Sequence, residues 1–213
     1  MNGSFAKNVF VNCPFDDTYR PLLRPLLFTI IDLGLNPRIS SESLDSGQPR
    51  IQKIVSLISE SQFAIHDLSR IQATKKDEYF RLNMPLELGI DFGCKTYGQK
   101  AMKKKRCLVL EAERYRFQKA ISDLAGSDIA AHENEPEKLV VEVRNWLRQN
   151  AKANGSAGAQ RIFFRFNKFM AENYQTLKND GHSRKEINNL PVNELIERMI
   201  AWVKGNPVSR KAS

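Results

Sequence analysis

Glu87 is the residue of this sequence whose type and surroundings most directly indicate chemistry. It stands among apolar neighbours in residues 84–90. A carboxylate near the start of a helix is stabilised by the helix dipole, so a structural role is one interpretation. A carboxylate beside an apolar pocket can also stabilise positive charge that develops on a ribose ring as its base leaves. The position and neighbours of Glu87 favour this second interpretation.

Most of the familiar catalytic motifs are missing. The sequence has no GxxxxGK phosphate loop, no GxGxxG fingerprint, no HExxH zinc motif and no GxSxG nucleophile motif. Cys13, Cys94 and Cys107 form no CxxC pair, so neither a disulfide framework nor a zinc site is indicated. His66 lies in an apolar strand, where a core histidine bonded to a backbone group is the favoured interpretation. No metal and no resident cofactor are expected.

Strands that alternate with helices are predicted to position these residues. Short apolar runs predict strands near 8–12, 36–40, 62–66, 106–110 and 127–131. Such alternation is typical of an α/β fold with a doubly wound, flavodoxin-like parallel sheet, which binds ligands beyond the carboxyl ends of its strands. The loops 12–17, 40–47 and 67–69 would gather at that edge.

Residues 83–93 are predicted to form the helix that carries Glu87. Asn83 is expected to cap this helix. Gly89 and Gly93, four residues apart, would let the helix approach the sheet closely.

The chain is predicted to divide into two modules. Residues 1–150 form the α/β domain, and the small, polar and glycine-rich segment 151–160 is a linker. Residues 161–206 form a small, basic, helical C-terminal domain with capping-box spacing from Ser183 to Glu186. Residues 207–213 are expected to fray.

The chain of 213 residues is 41% hydrophobic, which suffices for one buried core with a satellite domain. Residues 1–7 lack an apolar signal core, and no run of about 18 apolar residues occurs. These features and the scattered cysteines predict a soluble cytoplasmic protein without a membrane partner. The net charge is +9, of which +6 lies in residues 151–213. Nucleic acid could bind this basic tail, but a solvated surface is the favoured interpretation.

Two stretches resemble bacterial Toll/interleukin-receptor (TIR) domains. Residues 8–17 (NVFVNCPFDD) resemble their opening strand and loop. Residues 83–88 (NMPLEL) look like the helix start at which enzymatic TIR domains carry their catalytic glutamate. The order of elements is similar over residues 7–150. The resemblance implies a TIR-like fold and cleavage of NAD into nicotinamide and ADP-ribose or a cyclised relative.

A second family shares these landmarks. The dipeptide 14–15 (PF) and residues 87–89 (ELG) resemble the Pro-Phe turn and the Glu-x-Gly helix of nucleoside 2-deoxyribosyltransferases. Arg81 stands where those enzymes carry an aspartate, and residues 83–84 (NM) replace the Trp-Cys pair common in TIR domains. Either resemblance implies that Glu87 takes part in breaking an N-glycosidic bond.

The resemblance implies roles for the residues at the predicted edge. Glu87 would engage the ribose or the cationic transition state, and Phe15 would stack on a base. Asp67 could bind a sugar hydroxyl, although capping the following turn is an equal alternative. The candidate substrate-binding residues are Asn12, Phe15, Asp16, Asp67, Ser69 and Asn83.

The expected function is therefore that of an NAD glycohydrolase, with NAD as a substrate and not as a cofactor. TIR-like enzymes often require assembly, so self-association or a partner protein is expected, and phage defence in bacteria is the implied setting. Base exchange on nucleosides is the alternative enzymatic function. A non-enzymatic nucleotide-binding or protein-interaction module, in which Glu87 is only a helix-end charge, is the third hypothesis.

Overall fold

A parallel β-sheet forms the centre of the molecule. The computed structural model describes residues 5–42, 47–70, 82–116, 121–124, 128–151 and 157–208. The strands in these residues are β1 (Asn8–Asn12), β2 (Asn36–Arg38), β3 (Phe63–Asp67), β4 (Arg106–Glu111) and β5 (Ile129–Ala131). Their order is β2-β1-β3-β4-β5, and every neighbouring pair is parallel. The predicted α/β class and the flavodoxin-like doubly wound sheet are confirmed.

Helices cover both faces of this sheet. They are α1 (Arg20–Asp32), α2 (Arg50–Ser59), α3 (Asn83–Tyr97), α4 (Pro136–Asn150), α5 (Ala159–Asn179), α6 (Arg184–Asn188) and α7 (Val192–Gly205). Because side chains alternate along a strand, β1 contributes to two cores. Val9 and Val11 pack with residues of α1 and α4, whereas Phe10 packs with residues of α2.

The strand order reverses between β1 and β3. Asn12 pairs with His66, so the end of β1 lies beside the end of β3. The chain leaves these two strands toward opposite faces of the sheet, since α1 belongs to one core and α3 to the other. Ligands of open α/β sheets bind beyond the carboxyl ends of the strands at such a reversal.

Helix α3 differs from the prediction in two respects. Asn83 is its first helical residue, and Leu82 flanks the helix without a side-chain cap. The capping role predicted for Asn83 is therefore wrong, because a capping side chain belongs to the residue before the first turn. The predicted close approach at Gly89 and Gly93 is also wrong, because a Cβ atom at either position would meet no atom within 4 Å.

The C-terminal helices pack directly on the α/β layer. Residues of α5 and α7 share one hydrophobic core with residues of α1 and α4. The Phe28 ring of α1 lies 5.7 Å from the ring of Phe169 and 5.8 Å from that of Trp202. Arg165 adds an ion pair of 2.8 Å with Asp32. The tail therefore completes the core on the α1 side of the sheet.

Helix α6 of the tail begins with the capping box that the sequence predicts. The Ser183 capping box is confirmed, since its side chain accepts from Glu186 N and the Glu186 carboxylate accepts from Ser183 N. The predicted linker falls at the junction of α4 and α5. The described residues do not include Arg81, Ser127 and parts of the segments 40–47, 151–160 and 207–213.

In the part of the chain that is described, no helix has the length and apolar character to cross a membrane.

Candidate functional site

The carboxyl edge of the sheet carries a row of buried polar side chains. Asn12 ends β1, Asp67 ends β3 and Glu111 ends β4, while His132 follows β5 directly. None of these four side chains is more than 2% exposed. Because the strands are parallel and adjacent, all four lie along one edge.

Glu87 lies in the second turn of α3 and is only 4% exposed. Burial raises the pKa of its carboxyl group to about 7, although Arg50 lowers it in part. The Nη2 atom of Arg50, the first residue of α2, lies 3.8 Å from Glu87 Oε1, and the Arg50 side chain is 60% exposed. Among the described residues, none donates a hydrogen bond to Oε1. The carboxylate is thus desolvated but weakly paired.

Cys13 is a buried thiol that directly follows β1 and feels the charge of three candidate carboxylates. Burial raises the pKa of its thiol well above the ordinary value, and the charges of Asp67, Glu87 and Asp16 raise it further. Three of the predicted site residues are therefore close enough to act on one thiol. The raised pKa keeps Cys13 protonated and unreactive at neutral pH.

Asp67 is fully engaged by protein groups. Tyr19 donates its phenol proton to Oδ2, and Nε2 of His132 lies 3.1 Å from the same atom. Oδ1 accepts from the Ser69 backbone N–H at 2.8 Å, which is the turn-capping bond expected as the alternative to binding a sugar hydroxyl. Burial raises the pKa of Asp67, but His132, Ser69 and Tyr19 together lower it more, so the net pKa is below the ordinary value.

A buried chain of side chains connects Asn12 to Lys105. Asn12 Nδ2 lies 3.0 Å from His66 Nδ1, and His66 Nε2 lies 3.2 Å from Asp91 Oδ2. Lys105 Nζ is 2.9 Å from Asp91 Oδ1. Burial raises the pKa of Asp91, but His66 and Lys105 lower it to below its ordinary value. His66 is a core residue as predicted, but the partners of its ring within the described residues are side chains and not a backbone group.

Buried Glu111 and half-buried Arg116 form an ion pair at the end of β4. Arg116 Nη2 lies 2.5 Å from Glu111 Oε1 and 2.6 Å from the carbonyl oxygen of Ser69. Burial raises the pKa of Glu111 above its ordinary value although Arg116 and the Ala112 backbone N–H lower it. The Ser69 hydroxyl is buried without a hydrogen-bond partner in the described residues.

The remaining predicted residues lie at the surface of this edge. Phe15 is exposed in the loop after β1. Asp16 Oδ1 accepts from Thr18 Oγ1 and from the Tyr19 backbone N–H, so Asp16 stabilises the turn before α1. Asn83 is exposed one turn before Glu87 on the same face of α3.

Several residues of the site have no counterpart among the sequence predictions. Arg50, Asp91, Lys105, Glu111, Arg116 and His132 reach it from α2, α3, the β4 region and the segment after β5. Glu111 had a detectable signal, because a carboxylate directly after an apolar strand is placed at the ligand-binding edge of a parallel sheet. Lys105 and Asp91 had none, because their pairing depends on how α3 packs.

No family model, curated protein or solved structure matches this chain. Within the residues that the structure describes, no group of three His, Cys, Asp or Glu side chains is arranged to hold a metal ion. The function of this chain therefore has to follow from the residues and geometry at the sheet edge.

Proposed function

We propose that this protein cleaves the N-glycosidic bond of NAD or a related nucleotide, with Glu87 acting on the ribose. The observation that carries the proposal is a buried carboxylate with a pKa of about 7 at the carboxyl edge of the sheet. A carboxylate that only stabilises a helix end gains from being ionised, whereas the ionised form of Glu87 is opposed by its burial. Strongly perturbed groups in such positions are candidates for catalysis.

The proposed reaction breaks the bond between C1′ of the ribose and the pyridinium nitrogen. The bonding electron pair leaves with the base, which departs as neutral nicotinamide, and positive charge develops on the ribose ring. The Glu87 carboxylate stabilises that charge in surroundings from which water is largely excluded. Water then adds to C1′ and loses a proton, which gives ADP-ribose.

The direct test follows nicotinamide release from NAD by the purified protein at high concentration. Glu87→Gln keeps the shape of the side chain but removes the negative charge, so we expect the rate to fall about 100-fold or more. Glu197→Gln is the matched control, because Glu197 is an exposed glutamate of α7. Inactivity of concentrated, self-associated protein, with Glu87→Gln indistinguishable from it, would contradict the proposal.

Other substrates separate the alternative functions. Deoxynucleosides offered with a free acceptor base would give base exchange if the chain acts as a deoxyribosyltransferase. Tight nucleotide binding in calorimetry without turnover would favour the non-enzymatic module. Self-association and a role in phage defence stay predictions from the TIR resemblance.

A further inference from the structure

The side chain of Asn12 is buried, and its amide oxygen has no hydrogen-bond partner among the described residues. Asn12 is 2% exposed. Its Nδ2 lies 2.9 Å from the carbonyl oxygen of Met84 and 3.0 Å from Nδ1 of His66, so both amide protons are used. Its Oδ1 is buried and accepts no hydrogen bond from any described residue. A buried acceptor without a donor is unfavourable and requires an explanation.

The amide cannot rotate to satisfy its oxygen. His66 Nε2 faces the Asp91 carboxylate at 3.2 Å, which places the ring proton on Nε2 and leaves Nδ1 as an acceptor. The Met84 carbonyl is also only an acceptor. Turning the amide by half a revolution would direct Oδ1 at two acceptors, so the observed orientation is the one that the surroundings allow.

Lys105 holds the far end of this chain. It is 1% exposed, and its ammonium group lies 2.9 Å from Asp91 Oδ1 and 2.7 Å from the carbonyl oxygen of Ile58. A buried ammonium beside Asp91 favours the carboxylate form of Asp91, which accepts the proton of His66. Lys105 therefore fixes the orientation of Asn12 indirectly. It holds Asp91 as a carboxylate, and Asp91 sets which nitrogen of His66 faces Asn12 as an acceptor.

We propose that Asn12 is a specificity-determining residue whose Oδ1 accepts a hydrogen bond from a sugar hydroxyl of the substrate. Lys105, Asp91 and His66 are positioning residues that fix this orientation. The inference rests on the proposed function, because it assigns the sugar bound beside Glu87. An amide oxygen pairs only with a donor, so it selects a hydroxyl over an ether, a ketone or a phosphate oxygen.

The location of Asn12 supports this role. It ends β1 at the reversal of strand order, where ligands of such sheets bind. Its Nδ2 donates to the Met84 carbonyl, and Met84 lies three residues, or about one helical turn, before Glu87 in α3. The proposed sugar therefore binds where the end of β1 meets this turn of α3.

The main experiment compares NAD with two analogues that lack the 2′- or the 3′-hydroxyl of the nicotinamide ribose. For each protein the ratio of kcat/KM for NAD to kcat/KM for the analogue is measured. For one analogue, the ratio in the wild type should exceed the ratio in Asn12→Ala by about 10-fold to 100-fold. Comparing ratios cancels the different intrinsic reactivity of the analogues. Asn12→Ser provides a second variant if Asn12→Ala does not fold.

The matched control is Asn8→Ala. Asn8 is a buried asparagine of the same strand and the same face, but it lies at the amino end and donates to the Glu60 carbonyl at 2.9 Å. Its substitution should leave the ratios at their wild-type values. Equal ratios in the wild type and in both Asn12 variants would overturn the inference, even if NAD is cleaved. If the wild type neither cleaves NAD nor binds ADP-ribose, the proposed function and the inference both fail.

Nitrogen NMR of the histidine-labelled protein tests the positioning residues without a substrate. The free wild type should show His66 as the neutral Nε2–H tautomer. In Asp91→Asn, the oxygen of the new asparagine should stay beside Lys105, and the NH₂ group of that asparagine should face Nε2 of His66. Nε2 must then accept a hydrogen bond, so the ring should change to the Nδ1–H tautomer. The Asn12 amide would then lose its acceptor at His66 Nδ1 and its fixed orientation, and the substrate ratio should fall toward that of Asn12→Ala. An unchanged tautomer in Asp91→Asn, or an Nδ1–H ring in the wild type, would overturn the proposed chain.

Discussion

Glu87 occupies a position in which catalysis and stability have opposite requirements. Stabilising a cationic transition state requires the ionised carboxylate, whereas burial favours the neutral acid. The exposed cation of Arg50 lowers the pKa only in part. Such a conflict is common at functional sites, where a residue is retained despite its cost to folding.

Glu87→Gln should stabilise the fold in a pH-dependent manner. The pKa of about 7 in the folded state lies above the ordinary value of 4.5, so the ionised carboxylate reduces stability as the pH rises from about 4.5 through 7. At pH 8 we expect the free energy of unfolding to increase by about 1 to 3 kcal/mol. At pH 4 it should change little. Urea unfolding at both values measures the effect, and a gain of equal size at both would contradict the assigned pKa.

Arg50→Ala should move the activity profile to higher pH. Arg50 lowers the pKa of Glu87, so its removal raises that pKa and delays formation of the carboxylate. The inflection of kcat/KM for NAD on the acidic side should therefore shift toward alkaline pH. Arg50→Lys keeps the positive charge and serves as the control. An unchanged inflection in Arg50→Ala would show that another group controls the profile.

At the scale of elements, α3 connects the sheet to the site. Its buried face carries Met84 and Leu88 together with two carboxylates one turn apart, Glu87 and Asp91. Other elements supply the cation for each carboxylate, Arg50 of α2 for Glu87 and Lys105 for Asp91. The placement of α3 therefore depends on polar pairs as well as on apolar packing.

Gly89→Ala should stabilise α3. Gly89 is an exposed interior residue of the helix, and an added Cβ would meet nothing within 4 Å. Alanine reduces the conformational freedom of the unfolded chain, so we expect a gain of about 1 kcal/mol in unfolding free energy. Gly98→Ala is the contrasting control, because its Cβ would lie 2.2 Å from the Cys94 carbonyl oxygen and should destabilise the protein. Thermal melting compares the two, and a loss of stability in Gly89→Ala would contradict the prediction.

At the scale of the whole molecule, the tail and the α/β layer share one core. Phe28 of α1 is completely buried and contacts the rings of Phe166, Phe169 and Trp202 in α5 and α7. The α1 face of the sheet therefore depends on the tail for its burial. Tyr19, which directly precedes α1, donates its phenol proton to Asp67, so α1 also contacts the edge of the sheet through this residue.

Phe28→Ala should reduce the stability of the whole chain. Removing a fully buried ring typically costs about 3 to 5 kcal/mol of unfolding free energy. Phe164→Ala is the matched control, because Phe164 of α5 is exposed and should change stability by less than about 1 kcal/mol. Urea unfolding measures both. A small effect of Phe28→Ala would indicate that the tail folds independently of α1.

Much of the fold could be predicted because its signals are local. Apolar runs of strand length marked β1, β3 and β4, and alternation with helices predicted the parallel sheet. Glu87 could be selected because it interrupts an apolar pattern within its own helix. The capping predicted for Asn83 failed because a shift of one residue in a helix start changes which side chain can cap.

The sequence by itself determined the class of the fold, the edge at which polar loops gather and the identity of the conspicuous glutamate. Only the tertiary structure decided the partners of these residues. Asn12 meets His66 across 54 positions, and His66 meets Asp91 across 25. Such pairs depend on strand register and on the packing of α3, which arise from the balance of many distant contacts. The periodicity of apolar residues along the chain does not predict these distant contacts. The orientation of the Asn12 amide therefore follows only from the folded chain.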